Sequence, residues 1–123
     1  VSPFWENKLK SLFTTLIKIA YPDKSAPVLS DDTDTPWAAK NDISGALTLG
    51  YLLFDDPEMG YFANNHVESK MYWYLSNSQL KMLDNIEAKK PTYGSLHFPT
   101  TGYYMMRDGW NPKNDMMPAC FAV

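Results

Sequence analysis

The sequence predicts an α+β fold in which helices come first and strands follow. Near the start, apolar residues recur every three or four positions, which is typical of a helix with one buried face. A second, more uniformly apolar run follows a polar segment, and after residue 90 the pattern changes to that of strands. We therefore expect a mainly helical unit over residues 1–90 and strands over residues 91–123.

A first helix is predicted between Ser2 and Ala20. Ser2 can cap it, and Pro3 suits the first turn because proline lacks an N–H that would have no partner there. Pro22 disfavours helical geometry at the preceding residue, so the helix should end near Ala20. One face carries the apolar residues Trp5, Leu9, Leu12, Phe13, Leu16 and Ala20. We expect this face to be buried by the remainder of a longer chain or by self-association.

The segment from Tyr21 to Trp37 reads as a long polar loop. It is rich in Pro, Asp, Ser and Thr, and it places Asp31, Asp32 and Asp34 close together. These aspartates do not follow the EF-hand calcium pattern, because its spacing and its later glycine and glutamate are missing. We predict no metal site and no cofactor.

Three further helices are predicted before residue 90. Asp42 can cap a helix whose apolar surface is wide enough to be buried on several sides, and Pro57 helps to stop it. We expect a loop over Met59–Asn65, a helix over Val67–Leu75 and a short polar helix over Ser78–Ala88.

Strands are predicted over Ser95–Phe98 and Tyr103–Trp110, joined by a turn over Pro99–Gly102. Because side chains alternate along a strand, one face of the second strand should carry Tyr103, Met105 and Arg107. The opposite face should carry Tyr104, Met106, Asp108 and Trp110. A further strand is expected within Met116–Val123.

Composition and charge argue against nucleic-acid binding and against a transmembrane helix. The net charge is -3 and the only basic doublet is Lys89–Lys90, so nucleic-acid binding is not expected. The longest apolar run, Leu47–Phe54, is far shorter than the roughly 20 residues of a membrane helix. The one cysteine, Cys120, leaves the redox compartment open and reads as a small buried residue.

The segment Phe98–Trp110, FPTTGYYMMRDGW, resembles the strand that opens the β-sandwich of heparinase II/III-like polysaccharide lyases. In that family a strand of the form Gly-Tyr-Tyr-x-Met-Arg-x-Gly-Trp follows a helical toroid, and here too the motif follows several helices. The upstream segment from Trp5 to Asp32 also resembles the last toroid helices and their loop.

The resemblance implies a fragment that spans the end of an α/α toroid and the start of a β-sandwich in a periplasmic or secreted enzyme. It implies β-elimination at a uronic acid, for which a base removes a proton, a second group neutralises the carboxylate, and an acid protonates the leaving oxygen. The family places these roles on a Tyr and an Asn of the toroid and a His of the sandwich, outside residues 1–123. Neither His66 nor His97 lies in the expected motif, so we assign no catalytic residue.

Substrate-binding candidates are carried by the strand motif. Arg107 offers a planar donor for a carboxylate or sulfate of an acidic polysaccharide, and Tyr103 and Trp110 could stack on sugar rings. The alternative for Arg107, which we favour, is a structural bridge from the strand to an acidic group such as Asp32. The alternative for both aromatic residues is a place in the core.

Two other functions stay open at this stage. The chain could be a non-catalytic carbohydrate-binding module that uses Tyr103, Tyr104 and Trp110, or an inactive structural or assembly fragment. The large apolar surfaces of the first two helices favour a lyase fragment or an assembly piece, because a self-contained binding module would not need them.

Overall fold

The computed structural model describes residues 2–27, 40–111 and 116–120, the last of these as backbone only. Within them the chain is an α+β protein with two small antiparallel sheets. The α-helices are α1 (Pro3–Ile19), α2 (Ser44–Phe54), α3 (Pro57–Phe62) and α4 (Asn77–Lys81). Two 3-10 helices cover Ser69–Tyr74 and Met82–Asp84. The strands are β1 (Ser25–Pro27), β2 (Lys40–Asp42), β3 (Leu96–Phe98), β4 (Tyr103–Arg107) and β5 (Met116–Cys120).

Helix α1 has the predicted limits. It begins at Pro3 and ends at Ile19, where Ala20 turns to extended geometry. One expectation about its apolar face is wrong: Phe13 needs no partner molecule, because it is buried against Gly50 and Phe54. Trp5 and Leu9, which lie one and two turns earlier, are exposed.

The segment expected to be a continuous loop from Tyr21 onwards contains a strand. β1 pairs antiparallel with β2, with Ala26 opposite Asn41. Lys24, with φ 71°, makes the turn into β1, and Asp23 forms a salt bridge with Lys40. A three-residue strand is too short to show a local sequence pattern, and its pairing depends on residues far along the chain. The sequence therefore did not predict this strand pair.

Helix α3 corrects the loop predicted over Met59–Asn65. Asp55 takes left-handed geometry with φ 51° and ends α2, as expected. The next two residues then start a new helix, because the Asp56 carboxylate accepts a hydrogen bond from the Glu58 N–H (3.0 Å) and Pro57 occupies the first turn. Adjacent residues therefore stop one helix and begin the next.

The remaining helices are shorter and tighter than expected. The helix predicted over Val67–Leu75 is a 3-10 helix in which no residue is buried, so tertiary packing does little to hold a longer α-helix there. Helix α4 begins at a capping box, in which the Ser76 side chain bonds the Gln79 N–H and the Gln79 side chain bonds the Ser76 N–H. It gives way to the second 3-10 helix after Lys81.

The larger sheet has the order β3-β4-β5, with Phe98 opposite Tyr103 and Arg107 opposite Met116. The predicted turn is closed by the hydrogen bond from the Gly102 N–H to the Phe98 carbonyl (2.8 Å). Gly102 has φ 73°, a conformation that glycine adopts without steric cost. Both strands of the predicted hairpin and the following strand are present, but β4 ends at Arg107 and does not extend to Trp110 as predicted.

One apolar core joins residues from both parts of the chain. Ile17, Leu47 and Met59 lie in it with almost no exposure, and Trp110, which follows β4, belongs to the same cluster. The core therefore places the end of β4 directly against the helices.

Among the residues described, no helix has the length and apolar character needed to cross a membrane, as predicted.

Candidate functional site

Arg107, at the end of β4, is the most highly connected polar side chain of the predicted site. Its Nη2 donates to the carbonyls of Lys18 (2.8 Å) and Ala20 (2.9 Å) at the end of α1. Its Nη1 donates to the carbonyls of Tyr93 (3.3 Å) and Gly94 (3.0 Å). The guanidinium group thus satisfies carbonyls that a helix end leaves without partners and places its charge where the helix dipole is negative.

The guanidinium group is shielded from water. Only 9% of the residue is exposed, and this burial lowers the pKa of Arg107 from its ordinary value, although the group remains a cation. Nε is buried without a hydrogen-bond partner among the described residues. The donors that could bind a carboxylate or sulfate are therefore directed at the protein's own backbone, apart from this one buried N–H.

Trp110 lies beside Arg107, which corrects its predicted place on the opposite face of the strand. β4 ends at Arg107, and Gly109, with φ 75°, turns the chain back. The centroid of the Trp110 ring then lies 4.2 Å from the guanidinium carbon, as a cation-π contact, and the ring forms a T-shaped contact with Phe62. Its Nε1–H donates to the Tyr93 carbonyl (2.9 Å). Trp110 is 5% exposed, so its ring is engaged on the inside of the molecule.

Tyr103 is the third residue assigned to substrate binding. It is half-buried at the start of β4, between Phe98 on one neighbouring strand and Cys120 on the other. The structure does not bring it next to Arg107, which lies at the other end of the same strand. Asp32, the suggested acidic partner of Arg107, lies outside the described residues.

A cleft of about 430 Å³ lies apart from the strand motif, beside the beginning of α2. Its polar lining includes Asp42, Asn64, His66 and Lys70. The Asn64 side chain is held inside this region, because its amide donates to the Ser44 hydroxyl (2.9 Å) and its carbonyl oxygen accepts from the Thr48 hydroxyl (3.2 Å). His66, which the sequence left without a role, therefore lines a concave surface.

Asp42 carries the only resolved pKa shift in this cleft. Hydrogen bonds from the backbone N–H and the side chain of Ser44 lower the pKa of its carboxyl group, and they outweigh partial desolvation. The cleft combines carboxylates with a lysine and a histidine, so it is neither uniformly acidic nor uniformly basic. Among the residues described, no group of three or more His, Cys, Asp or Glu side chains could hold a metal ion.

Exposed aromatic residues form a second surface that the sequence analysis did not single out. Tyr72, Trp73 and Tyr74 follow one another in the first 3-10 helix, where Trp73 is 89% exposed and Tyr74 81%. Three consecutive aromatic residues point in different directions on a helix, so they cannot all enter one core. The three consecutive aromatic residues are therefore a sequence pattern from which their exposure could have been predicted.

On the sheet, His97 and Tyr104 form a stacked pair with ring centroids 4.1 Å apart. Both residues are exposed and lie opposite each other on β3 and β4. His97 thus pairs with an aromatic ring on the outer face, away from Arg107.

Comparison with known proteins adds no relative: no family model, no curated protein and no solved structure matches this chain.

Proposed function

We propose that this chain is part of a periplasmic or secreted polysaccharide lyase that cleaves a uronate-containing polysaccharide by β-elimination. In this proposal residues 1–90 end an α/α toroid and residues 91–123 begin a β-sandwich. The base, the acid and the carboxylate-neutralising group lie in other parts of the enzyme. The chain's contribution is the joint between the two domains.

The observation that carries the proposal is the contact between the motif strand and α1. The motif that resembles the lyases contains Arg107 and ends in Trp110. Arg107 holds β4 against the last turn of α1 through the Lys18 and Ala20 carbonyls, and Trp110 bonds to the Tyr93 carbonyl just before β3. A lyase cleft between a toroid and a sandwich needs such a joint, because misplacement of catalytic groups by about 1 Å can cost a hundredfold in rate.

Arg107 acts in this proposal as a positioning residue. Its four carbonyl partners account for Nη1 and Nη2. The bonds to Lys18 and Ala20 cross the proposed domain boundary, and those to Tyr93 and Gly94 fix the guanidinium group on its own side of it. A substrate carboxylate would have to displace these contacts. Tyr103, half-buried on the same strand, is assigned in this proposal to the edge of the cleft.

The test compares the natural protein that contains this sequence with the 123-residue chain alone. Both are incubated with heparan sulfate, alginate and other uronate polymers, and the ultraviolet absorbance of the unsaturated uronate product is followed. We expect product from the natural protein and none from the isolated chain. Turnover by the isolated chain would contradict the position given to the catalytic groups, and a natural protein inactive on every polymer would contradict the lyase.

A non-catalytic carbohydrate-binding module is the second candidate, and the exposed aromatic residues favour it. Trp73 and Tyr74 offer ring faces to solvent, as sugar-binding platforms do, whereas Trp110 does not. A module of this kind would bind neutral as well as acidic polysaccharides, because stacking does not require a charged sugar.

Affinity electrophoresis separates the two candidates. The isolated chain and its Trp73→Ala variant are run through gels that contain alginate or a neutral glucan. Retardation by both polymers that is lost in Trp73→Ala would support the binding module, while Phe98→Ala on the half-buried side of β3 serves as the control. Unretarded migration in both gels would contradict it.

A further inference from the structure

Helix α1 carries a second apolar pattern that lies largely outside the intramolecular core, although one member, Leu16, packs against that core. The core takes Phe13 and Ile17, whereas another set of apolar residues recurs at alternating spacings of four and three. These residues are Trp5, Leu9, Leu12, Leu16 and Ile19. Alternating steps of four and three define the a and d positions of a heptad repeat, which in coiled coils pack against a second helix.

The N-terminal half of this seam is open to solvent within the described part of the chain. Trp5 is 64% exposed, Leu12 58% and Leu9 41%. A groove of about 420 Å³ lies beside them, and Leu53 and Phe54 from the end of α2 line its other side. The surface thus has both projecting side chains and a depression, which are the two parts of knobs-into-holes packing.

We propose that this seam binds a second copy of the chain, with the two α1 helices antiparallel about a twofold axis. An isologous contact uses the same patch twice, so the patch must hold both the knob and the hole. In an antiparallel pair, a positions face d positions. One register covers the three exposed residues Trp5, Leu9 and Leu12. It places Leu9 opposite Leu12 of the second copy and Trp5 opposite Leu16 of the second copy.

The flanks of the seam favour the antiparallel direction. Glu6 and Phe13 flank the side on which α2 packs, and Lys8 and Thr15 flank the other side. In an antiparallel pair, each flank of the seam meets the same flank of the second copy. The C-terminal ends of both α2 helices therefore meet, and Lys8 stays exposed to water. A parallel pair would instead set α2 against the Lys8 side of the second copy, so that Leu53 would face a charged side chain.

The size of the surface fits a dimer. From typical side-chain areas, the exposed parts of Trp5, Leu9, Leu12 and Leu53 amount to roughly 400 Å² per copy. With an apolar share of roughly 65%, the interface would bury about 1,200 Å² from both copies together, which is the lower end of stable interfaces. The inference does not depend on the proposed function.

Sedimentation of the 123-residue chain over micromolar concentrations tests the dimer. We expect a monomer-dimer equilibrium in the wild type and a dissociation constant at least about tenfold higher in Leu12→Glu, since a charge would be buried in the seam. Asn7→Glu adds the same charge on the exposed opposite side of α1 and should leave the equilibrium unchanged. Thermal unfolding of the Leu12→Glu monomer checks its fold, and Leu9→Gln repeats the test with a neutral polar side chain.

Cross-linking in a Cys120→Ala background tests the direction. In the antiparallel register two cysteines at position 5 lie about 16 Å apart along the helix axis, too far for a disulfide, whereas positions 5 and 16 meet. Trp5→Cys with Leu16→Cys should therefore give a disulfide-linked dimer, and Trp5→Cys alone should not. A monomeric wild type, or a dimer that Leu12→Glu and Leu9→Gln both leave intact, would overturn the seam. A disulfide from Trp5→Cys alone would overturn the antiparallel arrangement.

Discussion

At the scale of single residues, Arg107 and Trp110 decide how β4 meets the helices. The arginine spans two backbone segments that are far apart in sequence, and the tryptophan covers the guanidinium group while bonding to one of the same segments through the Tyr93 carbonyl. A planar group with five N–H donors suits this task, because a lysine could reach only part of the same set of acceptors.

We expect Arg107→Lys to lower the free energy of unfolding by about 2 kcal/mol, since carbonyls at the end of α1 lose a charged donor and the stacking on Trp110 is weakened. Urea denaturation followed by circular dichroism measures the change. Met106→Leu, at the exposed neighbouring position of β4, is the control and should change stability by less than about 0.5 kcal/mol. Equal stability of Arg107→Lys and the wild type would show that the carbonyl contacts contribute little.

The salt bridge between Asp23 and Lys40 should contribute a pH-dependent part of the stability. Partial burial alone would raise the pKa of Asp23, but the hydrogen bonds from Lys40 and Ser25 outweigh it and lower that pKa below 3.8. A carboxylate whose pKa is lower in the folded state stabilises the fold above its unfolded pKa, and this contribution is lost as the pH falls through the folded value.

Asp23→Asn should therefore reduce stability at neutral pH and flatten its dependence on pH below about 4, where the wild type loses the contribution. Urea midpoints measured between pH 2 and pH 7 give both the stability at neutral pH and its dependence on pH. Parallel curves for the variant and the wild type would mean that Asp23 has the same pKa in the folded and unfolded states.

At the scale of elements, α3 is held by a segment without regular structure. The Lys89 N–H donates to the Pro57 carbonyl (2.8 Å), and the Glu87 N–H donates to the Tyr51 hydroxyl (3.0 Å). Gly60 lets this segment approach closely, because a Cβ there would overlap the Glu87 carbonyl oxygen. Because Gly60 has no side chain, residues 87–89 can cover both α2 and α3.

We expect Gly60→Ala to lower the free energy of unfolding by about 2 kcal/mol, through displacement of the Glu87 backbone. Gly45→Ala, in the first turn of α2, is the matched control: no atom lies within 4 Å of the added methyl group, so stability should rise by about 0.5 kcal/mol. Chemical denaturation of both variants measures the difference. A Gly60→Ala protein as stable as Gly45→Ala would contradict the close approach.

At the scale of the whole molecule, the helices and the motif strand share one core. Trp110 contacts Phe62 of α3, and Arg107 bonds the end of α1. Separating the helices from the motif strand would therefore break both contacts. The domain boundary placed between residues 90 and 91 stays a prediction.

We expect the isolated chain to unfold in one transition, because these contacts couple the two parts. Far-ultraviolet circular dichroism reports mainly on the helices, and near-ultraviolet circular dichroism reports on packed aromatic residues such as Trp110. The two curves should coincide in urea. Two separate transitions in the wild type would show that residues 1–90 and 91–123 fold independently, and Arg107→Lys should then leave the helical transition unchanged.

The sequence by itself determined the elements that local chemistry fixes. Pro3 and Pro22 set the limits of α1, and Gly102 allowed the turn before β4, because proline and glycine restrict or permit backbone angles wherever they occur. Only the tertiary structure decided where Trp110 points, how β1 and β2 pair, and which groups Arg107 meets. Those outcomes depend on contacts between residues up to 89 positions apart, and no local pattern records which distant carbonyl will lie beside a given side chain.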